Sequence, residues 1–235
     1  MISGLSNSRF LTNQMNTTQN SLYKAQQQVS SGKRINSAAD DAAGLAISNK
    51  LLASANSLKA YSSNYSSQIY SNNIAEGALS GVSDTYNDMY ANSIRSMNGT
   101  MSSSDVAAIG QTNDALKATV DHISSTTKYN EDFVVDDIDT NWDSLSADDI
   151  STAAASASDT RSQLGAQTNA LEHATSVNDI SAENTTAALS RKEDAEMEKA
   201  ISTYKNQQTI SQFQNMLFKN QMSTADGIVT RMLGQ

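Results

Sequence analysis

The first thirty residues carry small and apolar side chains at alternating steps of three and four. This spacing is typical of a coiled-coil seam, the row of residues along which two helices pack, and it predicts a helix over residues 5–29. Two of the positions hold Ser or Thr, so the seam is weak by itself, and Ser30-Ser31-Gly32 ends the pattern. The seam consists of Ser8, Leu11, Met15, Thr18, Leu22, Ala25 and Val29.

The rest of the chain predicts three further helical regions. Asn36-Ser37 is expected to cap a helix from Ala38 to about Asn98, and Asn98-Gly99 is a turn signal. A helix capped by Ser104 is predicted over residues 105–125, and helix returns from Thr152 to the C terminus with one break. The second terminal seam has as its candidates Met197, Ile201, Tyr204, Ile210, Phe213, Leu217, Ile228 and Met232.

Residues 129–150 differ from their surroundings, because they contain eight acidic residues and no Lys or Arg. The β-forming residues at the start of this segment predict a short hairpin or a solvent-facing acidic loop. Several oxygen-bearing residues match ligand positions of a calcium loop, but Trp142 stands where the turn requires glycine and no bidentate glutamate follows. A solvated acidic face is therefore the favoured interpretation, and no metal site is assigned. The residues weighed as calcium ligands are Asp137, Asp139, Asn141, Asp143 and Asp148.

Two weak seams at opposite ends of the chain are most simply buried by packing against each other. The predicted fold is therefore all-α: an elongated antiparallel helical bundle or coiled coil with paired N- and C-terminal helices and a small β-hairpin near the middle. The residues expected to pack in the terminal, innermost part are Leu11, Met15, Leu22, Val29, Ile201, Tyr204, Ile210, Phe213 and Leu217.

Composition supports long helices and excludes several classes of partner. The 235 residues include no proline, the strongest helix breaker, whereas the many Ser, Thr and Asn residues make each helix depend on packing. A net charge of -9 argues against nucleic acid and anionic membrane surfaces as partners. The sequence has no run of about 18 apolar residues, so no membrane span is predicted. The N terminus lacks the pattern of a cleaved signal peptide.

Residues with catalytic chemistry occur without the partners that catalysis requires. Asp40 and Asp41 are adjacent, so on a helix their side chains would point about 100° apart, which suits helix-terminus charges better than a shared acid–base pair. His122 and His173 have no second histidine or cysteine nearby. Neither a Gly-x-Ser-x-Gly motif nor a glycine-rich phosphate loop is present. The chain is predicted not to be an enzyme, with no catalytic residues and no cofactors.

Four motifs give the sequence a specific resemblance. They are SSGKRINSAADDAAGLAI at residues 30–47, Glu76-Gly77-Ala78-Leu79, the segment SQLGA at 162–166 and the segment RKEDAEMEK at 191–199. Each resembles a motif of bacterial flagellins, and the four stand in the order that the family uses. They are spread over most of the chain outside residues 129–155.

The resemblance implies a structural subunit that polymerises with itself into the extracellular flagellar filament for motility. It implies export by the flagellar type III route without a cleaved signal peptide, with a secretion chaperone, the export apparatus, and cap and junction proteins as partners. It also implies three parts: residues 1–37 with 198–235 as a coiled-coil inner core, residues 38–128 with 151–197 as a helical outer core, and residues 129–150 in place of the large outer surface domains.

At three positions the sequence departs from flagellins that the animal innate immune receptor senses. Where those proteins carry a characteristic arginine, leucine and glutamate, this chain has Asp88, Asn92 and Thr112, so weak receptor binding is expected.

Two alternatives to a filament subunit remain open at this point. One is the related hook–filament junction protein, and the other is a soluble helical adhesin or binding module.

Overall fold

The computed structural model describes residues 2–135 and 146–233. Within these residues the chain forms five helices and one two-stranded antiparallel hairpin, which confirms the predicted all-α class with a small β element. The elements are α1 (Ile2–Ser31), α2 (Ala42–Ser96), α3 (Ser103–Thr126), β1 (Lys128–Tyr129), β2 (Asp132–Phe133), α4 (Ala147–Glu193) and α5 (Met197–Leu233).

Helix α2 begins at Ala42, four residues later than the sequence predicted. The two neighbouring aspartates explain the difference, because each accepts hydrogen bonds from nearby backbone. Asp40 Oδ2 accepts from the amides of Asn36 (3.2 Å) and Ser37 (3.0 Å), which holds residues 36–40 in a turn. Asp41 Oδ1 accepts from the amide of Gly44 at 2.7 Å and so acts as the N-cap.

Position 44 has no room for a side chain unless its neighbours move. A Cβ atom there would lie 2.2 Å from Asp41 Oδ2 and 2.7 Å from Ile35 Cδ1. Ile35 is itself buried, so the space on this side of α2 is already filled. The Asp-Ala-Ala-Gly sequence therefore provides the cap and the clearance that the cap needs.

Helix α3 begins at Ser103 with a capping box formed by Ser102 and Asp105, so both the cap and the helix start two residues earlier than predicted. The amide of Asp105 donates to Ser102 Oγ at 3.2 Å, and the Ser102 amide donates to Asp105 Oδ2 at 3.2 Å. The Ser102 hydroxyl also donates to this carboxylate, which lowers the pKa of Asp105 from its ordinary value. The predicted turn at Asn98-Gly99 precedes it, where the Met101 amide donates to Asn98 O at 3.1 Å.

The segment after α3 begins with the hairpin, whose two turn residues, Asn130 and Glu131, have φ angles of 51° and 75°. Positive φ at both central residues is the geometry of a tight two-residue hairpin turn. Val135, just beyond β2, is buried in the core, and α4 begins at Ala147 rather than at the predicted Thr152. Four of the calcium candidates, Asp137, Asp139, Asn141 and Asp143, lie outside the described residues.

One core joins α2, α3, α4 and Val135, which lies two residues beyond β2. Val82, Tyr86 and Met89 of α2 are fully buried within it, as is Ile150 of α4. Packing of this kind stabilises helices whose own propensity is modest. The remaining buried members of the core are Ala75, Leu79, Val120, Val135 and Ala157.

Polar contacts also join α2 to α4. Arg161 Nη2 lies 2.7 Å from Glu76 Oε1, and the Ser62 hydroxyl donates to Asp179 Oδ1 at 2.7 Å. Asn72 Nδ2 donates to Thr168 Oγ1 at 3.3 Å. Because these contacts are spread along both helices, they fix how the two align.

The chain divides into two compact units, residues 1–55 with 183–235 and residues 56–182. Both boundaries lie inside α2 and α4 and not at the breaks between helices. The division into inner and outer core layers that the resemblance implies describes a filament, and it stays a prediction.

Candidate assembly interface

The two breaks in the helical chain meet in the unit formed by residues 1–55 and 183–235. The amide of Arg34 donates to Glu193 O at 2.6 Å, and the amide of Ala195 donates to Gly32 O at 2.8 Å. Lys33 and Asp194 form an antiparallel β-bridge between these two contacts. Gly32 has a φ of 70°, a conformation that favours glycine. We refer to residues 32–34 with 193–195 as the linker clasp.

Charged side chains reinforce the linker clasp. Lys33 Nζ lies 2.5 Å from Glu193 Oε1, and the hydrogen bond to Glu193 raises the pKa of Lys33 from its ordinary value. Arg34 Nη2 donates to the carbonyl oxygen of Lys192 at 2.7 Å. The Lys33 side chain is half exposed, so solvent screens the ion pair and its effect on stability is small. Its contribution is chiefly to fix where α1 and α5 begin to run together.

Beyond the linker clasp, α1 and α5 pack against each other. On α1, Thr18 and Ala25 are buried and the other described positions of the predicted seam are half-buried. Nearly all neighbouring positions of the helix are exposed. The α1 residues that the sequence assigned to terminal packing therefore lie on the face that meets α5. They are Leu11, Met15, Leu22 and Val29.

Helix α5 presents a different face to α1 from the one that its hydrophobic residues define. Of the predicted residues only Tyr204 is half-buried, whereas Ile201, Ile210, Phe213 and Leu217 are exposed. The buried and half-buried positions recur at alternating steps of four and three, and several of them are polar. They are Ala200, Tyr204, Gln207, Ser211, Gln214 and Phe218.

Sequence reasoning missed this face because it searched for hydrophobic side chains. The residues from Ala200 to Phe218 do follow heptad spacing. A search for apolar residues does not detect it, because Gln207, Ser211 and Gln214 are polar. The predicted residues at 210, 213 and 217 each precede a residue of the observed face by one position. One residue corresponds to a rotation of about 100° around a helix. The side chains of Ile228 and Met232, also named as candidates, lie outside the described residues.

The apolar side of α5 is consequently uncovered. Ile210, Phe213 and Leu217 are spaced by three and four residues, so they form one stripe along the helix. Their exposed fractions are 43%, 58% and 39%. We refer to these three residues as the α5 stripe. A contiguous exposed apolar surface of this kind is typical of an interface with another molecule.

The described residues offer no candidate metal centre. No cluster of three His, Cys, Asp or Glu side chains able to hold a metal occurs among them. Asp40 and Asp41 are each engaged in local hydrogen bonds that shape the start of α2. Among the helices of residues 2–135 and 146–233, none has the length and apolar character needed to cross a membrane.

The three receptor-motif positions lie on α2 and α3. Asp88 is exposed, and so is Thr112, whose hydroxyl donates to Ala108 O at 3.0 Å. Asn92 is half-buried, and its side-chain amide donates to Asn113 Oδ1 at 3.1 Å. The three positions therefore carry an exposed carboxyl group (Asp88), a hydrogen-bonded amide (Asn92) and a hydroxyl group (Thr112).

Long helices, a clasped pair of terminal helices and an uncovered apolar stripe are typical of the class of helical structural proteins. Residues 2–140 match the family model described as the bacterial flagellin N-terminal helical region. A flagellin of Halalkalibacterium halodurans is 33% identical over 227 residues, with 80% of this chain and 84% of the relative covered. The chain belongs to the bacterial flagellin family, whose members are structural proteins rather than enzymes.

Two other relatives match chiefly one half of the chain. A flagellin of Clostridium tyrobutyricum is 38% identical over 122 residues, which are 52% of this chain and 32% of the relative. A flagellin of Serratia marcescens is 37% identical over 118 residues, which are 50% of this chain and 34% of the relative. The chain thus matches about a third of the length of these two proteins and most of the length of the Halalkalibacterium relative.

Proposed function

We propose that this chain is a flagellin subunit that polymerises into the extracellular flagellar filament and thereby serves motility. The observation that carries the proposal is the α5 stripe, which the chain's own α1 leaves uncovered. Burial of apolar area is the main favourable contribution to protein association. A stripe that meets a different surface of a second copy makes a head-to-tail contact, and repetition of such a contact produces an open helical filament.

Substitution within the α5 stripe tests the proposal. Phe213→Ser removes the one aromatic side chain of the stripe, which is also its most exposed member, without changing the face that meets α1. Purified variant and wild-type protein are added to short filament seeds, and growth is followed by electron microscopy. We expect wild type to elongate and Phe213→Ser to elongate at least tenfold more slowly, since loss of a well-packed aromatic at an interface costs about 2 kcal/mol or more.

Gln212→Ser is the matched control, because Gln212 is an exposed neighbour outside the stripe. It should elongate like wild type, and both variants should keep the far-ultraviolet circular dichroism of wild type. Normal elongation by Phe213→Ser would contradict the assignment of the stripe to assembly.

The alternatives make different predictions for the same experiment. A hook–filament junction protein would join a filament end without supporting extended growth. A soluble helical adhesin or binding module would neither bind seeds nor elongate. No observation on this chain favours either alternative over a filament subunit.

The more specific partners are proposed on the family resemblance. They are a secretion chaperone, the flagellar export apparatus, which would export the chain without a cleaved signal peptide, and the cap and junction proteins. Deletion of the export apparatus in a bacterium that expresses this chain should retain the protein inside the cell. Secretion that continued at the same level in that strain would contradict this route.

We also propose that the innate immune receptor for flagellin binds this chain weakly. At Asp88 the charge is opposite to that of the arginine in sensed flagellins, and neither Asn92 nor Thr112 supplies the expected leucine or glutamate. Placing a charge of the wrong sign at an interface is costly. Receptor-expressing reporter cells should respond much less than to a sensed flagellin, and an equal response at equal concentration would refute the proposal.

A further inference from the structure

Asn98 and Gly99, in the turn between α2 and α3, form the one Asn-Gly pair of the sequence. In such a pair the backbone nitrogen of the glycine can attack the asparagine side chain, because no Cβ atom of the second residue shields that nitrogen. Both residues are exposed. Apart from its chain neighbours, none of the described residues comes within 4 Å of the place where a Cβ of Gly99 would stand. The Asn98 side chain is therefore open to attack and to water.

Hydrogen bonds in this turn prepare the Asn98 side chain for that attack. Asn98 Oδ1 accepts from the Thr100 amide at 3.2 Å and from the Thr100 hydroxyl at 3.0 Å. Donors on a carbonyl oxygen stabilise the negative charge that the oxygen gains when its carbon is attacked. The Gly99 amide donates to no acceptor in the described part of the chain. No hydrogen bond to a described residue therefore has to break before the Gly99 nitrogen reacts.

A second asparagine in an exposed turn has the opposite arrangement. Asn36 is followed by Ser37, another small residue, and both are exposed. The Ser37 amide donates to Asp40 Oδ2 at 3.0 Å, and Asn36 Nδ2 donates to the carbonyl oxygen of Lys33 at 3.0 Å. The nitrogen that would attack and the side-chain amide of Asn36 are thus both held in other contacts. Asn36 therefore serves as an internal comparison for Asn98.

We propose that Asn98 is a site of spontaneous deamidation that its own turn promotes. The Gly99 nitrogen bonds to Asn98 Cγ, the Cγ–Nδ2 bond breaks, and Nδ2 leaves as ammonia with the proton of the Gly99 amide. Water then opens the resulting cyclic imide at either of its carbonyl carbons. Opening at Cγ gives an aspartate in the normal main chain, and opening at the main-chain carbonyl gives an isoaspartate, whose main chain runs through Cγ. Solvent water is the only co-reactant.

Either product changes the connection between α2 and α3. A carboxylate appears just beyond Ser96, the last residue of α2, where the helix dipole disfavours negative charge. The net charge of the chain becomes one unit more negative than its value of -9. The isoaspartate also adds a carbon atom to the main chain, within the turn in which the Met101 amide donates to Asn98 O at 3.1 Å. The modification thereby alters the turn that leads into the capping box of α3.

Timed incubation of the purified chain tests the proposal. Folded protein is kept at mildly alkaline pH, which favours loss of the proton from the attacking nitrogen, and samples are digested at intervals for peptide mass spectrometry. Fragment spectra should assign the mass increase of amide-to-acid conversion to Asn98. An isoaspartate-specific methyltransferase should label the same peptide. The peptide that contains Asn36 should remain unchanged over the same period.

Substitutions at Gly99 and Thr100 separate the attack from the activation by the turn. Alanine fits at position 99, where the φ angle is not in the left-handed region and the surrounding space is open. Gly99→Ala should slow deamidation of Asn98 by about tenfold or more, because its Cβ hinders the attacking nitrogen. Thr100→Val removes only the hydroxyl donor and should slow the reaction by roughly threefold or more. Thr100→Ser keeps that donor and should react like wild type.

The same variants are then incubated in urea, where the turn is lost, and Thr100→Val should deamidate there at the rate of wild type. In the absence of urea all variants should keep the far-ultraviolet circular dichroism of wild type. No conversion of Asn98, or conversion of Asn36 at the same rate, would overturn the assignment of the site. A wild-type rate in Gly99→Ala would overturn the route through the imide. Equal slowing of Thr100→Val in folded and urea-unfolded protein would overturn the role of the turn.

Discussion

Asn113 holds α2 and α3 together through a buried network that a single substitution can test. Its side chain is 4% exposed. Its Nδ2 atom donates to Met89 O at 3.4 Å and to Ser93 Oγ at 3.2 Å, and its Oδ1 atom accepts from Asn92 Nδ2 at 3.1 Å. Asn113→Asp keeps the size of the side chain but replaces the donating amide nitrogen by an oxygen. The new oxygen would face a carbonyl oxygen that cannot donate to it.

The expected loss follows from these contacts. Two donations of about 1 kcal/mol each disappear, and an ionised carboxylate in a buried site carries a further cost of several kcal/mol unless it becomes protonated. Asn113→Asp should therefore lower the free energy of unfolding by about 3 kcal/mol or more at neutral pH. Burial should raise the pKa of the introduced carboxyl above its unfolded value. The deficit should accordingly be smallest at acid pH, where the group is protonated in both states, and should grow as the pH rises from the unfolded-state pKa towards the folded-state pKa.

Urea unfolding followed by far-ultraviolet circular dichroism, repeated across the acid range, measures this deficit. The control is Asp114→Asn at the exposed neighbouring position, which makes the reverse chemical change and should alter stability by less than about 0.5 kcal/mol. If Asn113→Asp were as stable as wild type at neutral pH, the buried network would not join α2 and α3 in this way.

Three further predictions concern the terminal helices and the start of α2. Leu22→Asp places a charge at a half-buried position of the α1 seam; it should abolish filaments while the chain stays soluble, and normal filaments by electron microscopy would contradict this. Gly44→Ala should destabilise the first turn of α2 by about 1–2 kcal/mol, because its Cβ would displace the Asp41 cap; unchanged amide exchange at the residues beside Gly44 would refute it. The Ser37 hydroxyl and the amides of Asn36 and Ser37 lower the pKa of Asp40. The turn of residues 36–40 is therefore stabilised above the ordinary pKa of 3.8 and loses that contribution as pH falls through the lowered value. An acid-dependent shift of the Ser37 amide resonance that persists in Asp40→Asn would exclude Asp40 as its source.

The sequence predicted the helices well where hydrophobicity and spacing agree. On α1 the apolar residues coincide with the heptad positions, so periodicity alone identified the face that meets α5. The hairpin was predictable because β-forming residues cluster beside a segment without helical periodicity. The start of α2 was placed too early, since Asp40 and Asp41 use their side chains to stabilise a turn and a cap that a periodic pattern does not reveal.

The contacts between distant parts of the chain could not be predicted in the same way. Lys33 and Glu193 are far apart in sequence, and nothing local indicates that their backbones form the linker clasp. The orientation of α5 was missed for a different reason. Hydrophobicity selected Ile210, Phe213 and Leu217, the residues that we assign to contacts with another copy, whereas polar residues such as Gln214 meet α1.

The accessibility of the α5 stripe before and after assembly tests the central claim most directly. The chain contains no cysteine, so Leu217→Cys introduces a single reporter whose reaction with a thiol reagent can be timed. We predict rapid labelling in the isolated chain and labelling slower by about tenfold or more in grown filaments, where a second copy covers the stripe and water is excluded from it. Equal labelling rates in the two states would show that the stripe stays open in the polymer, and that these subunits associate through some other surface.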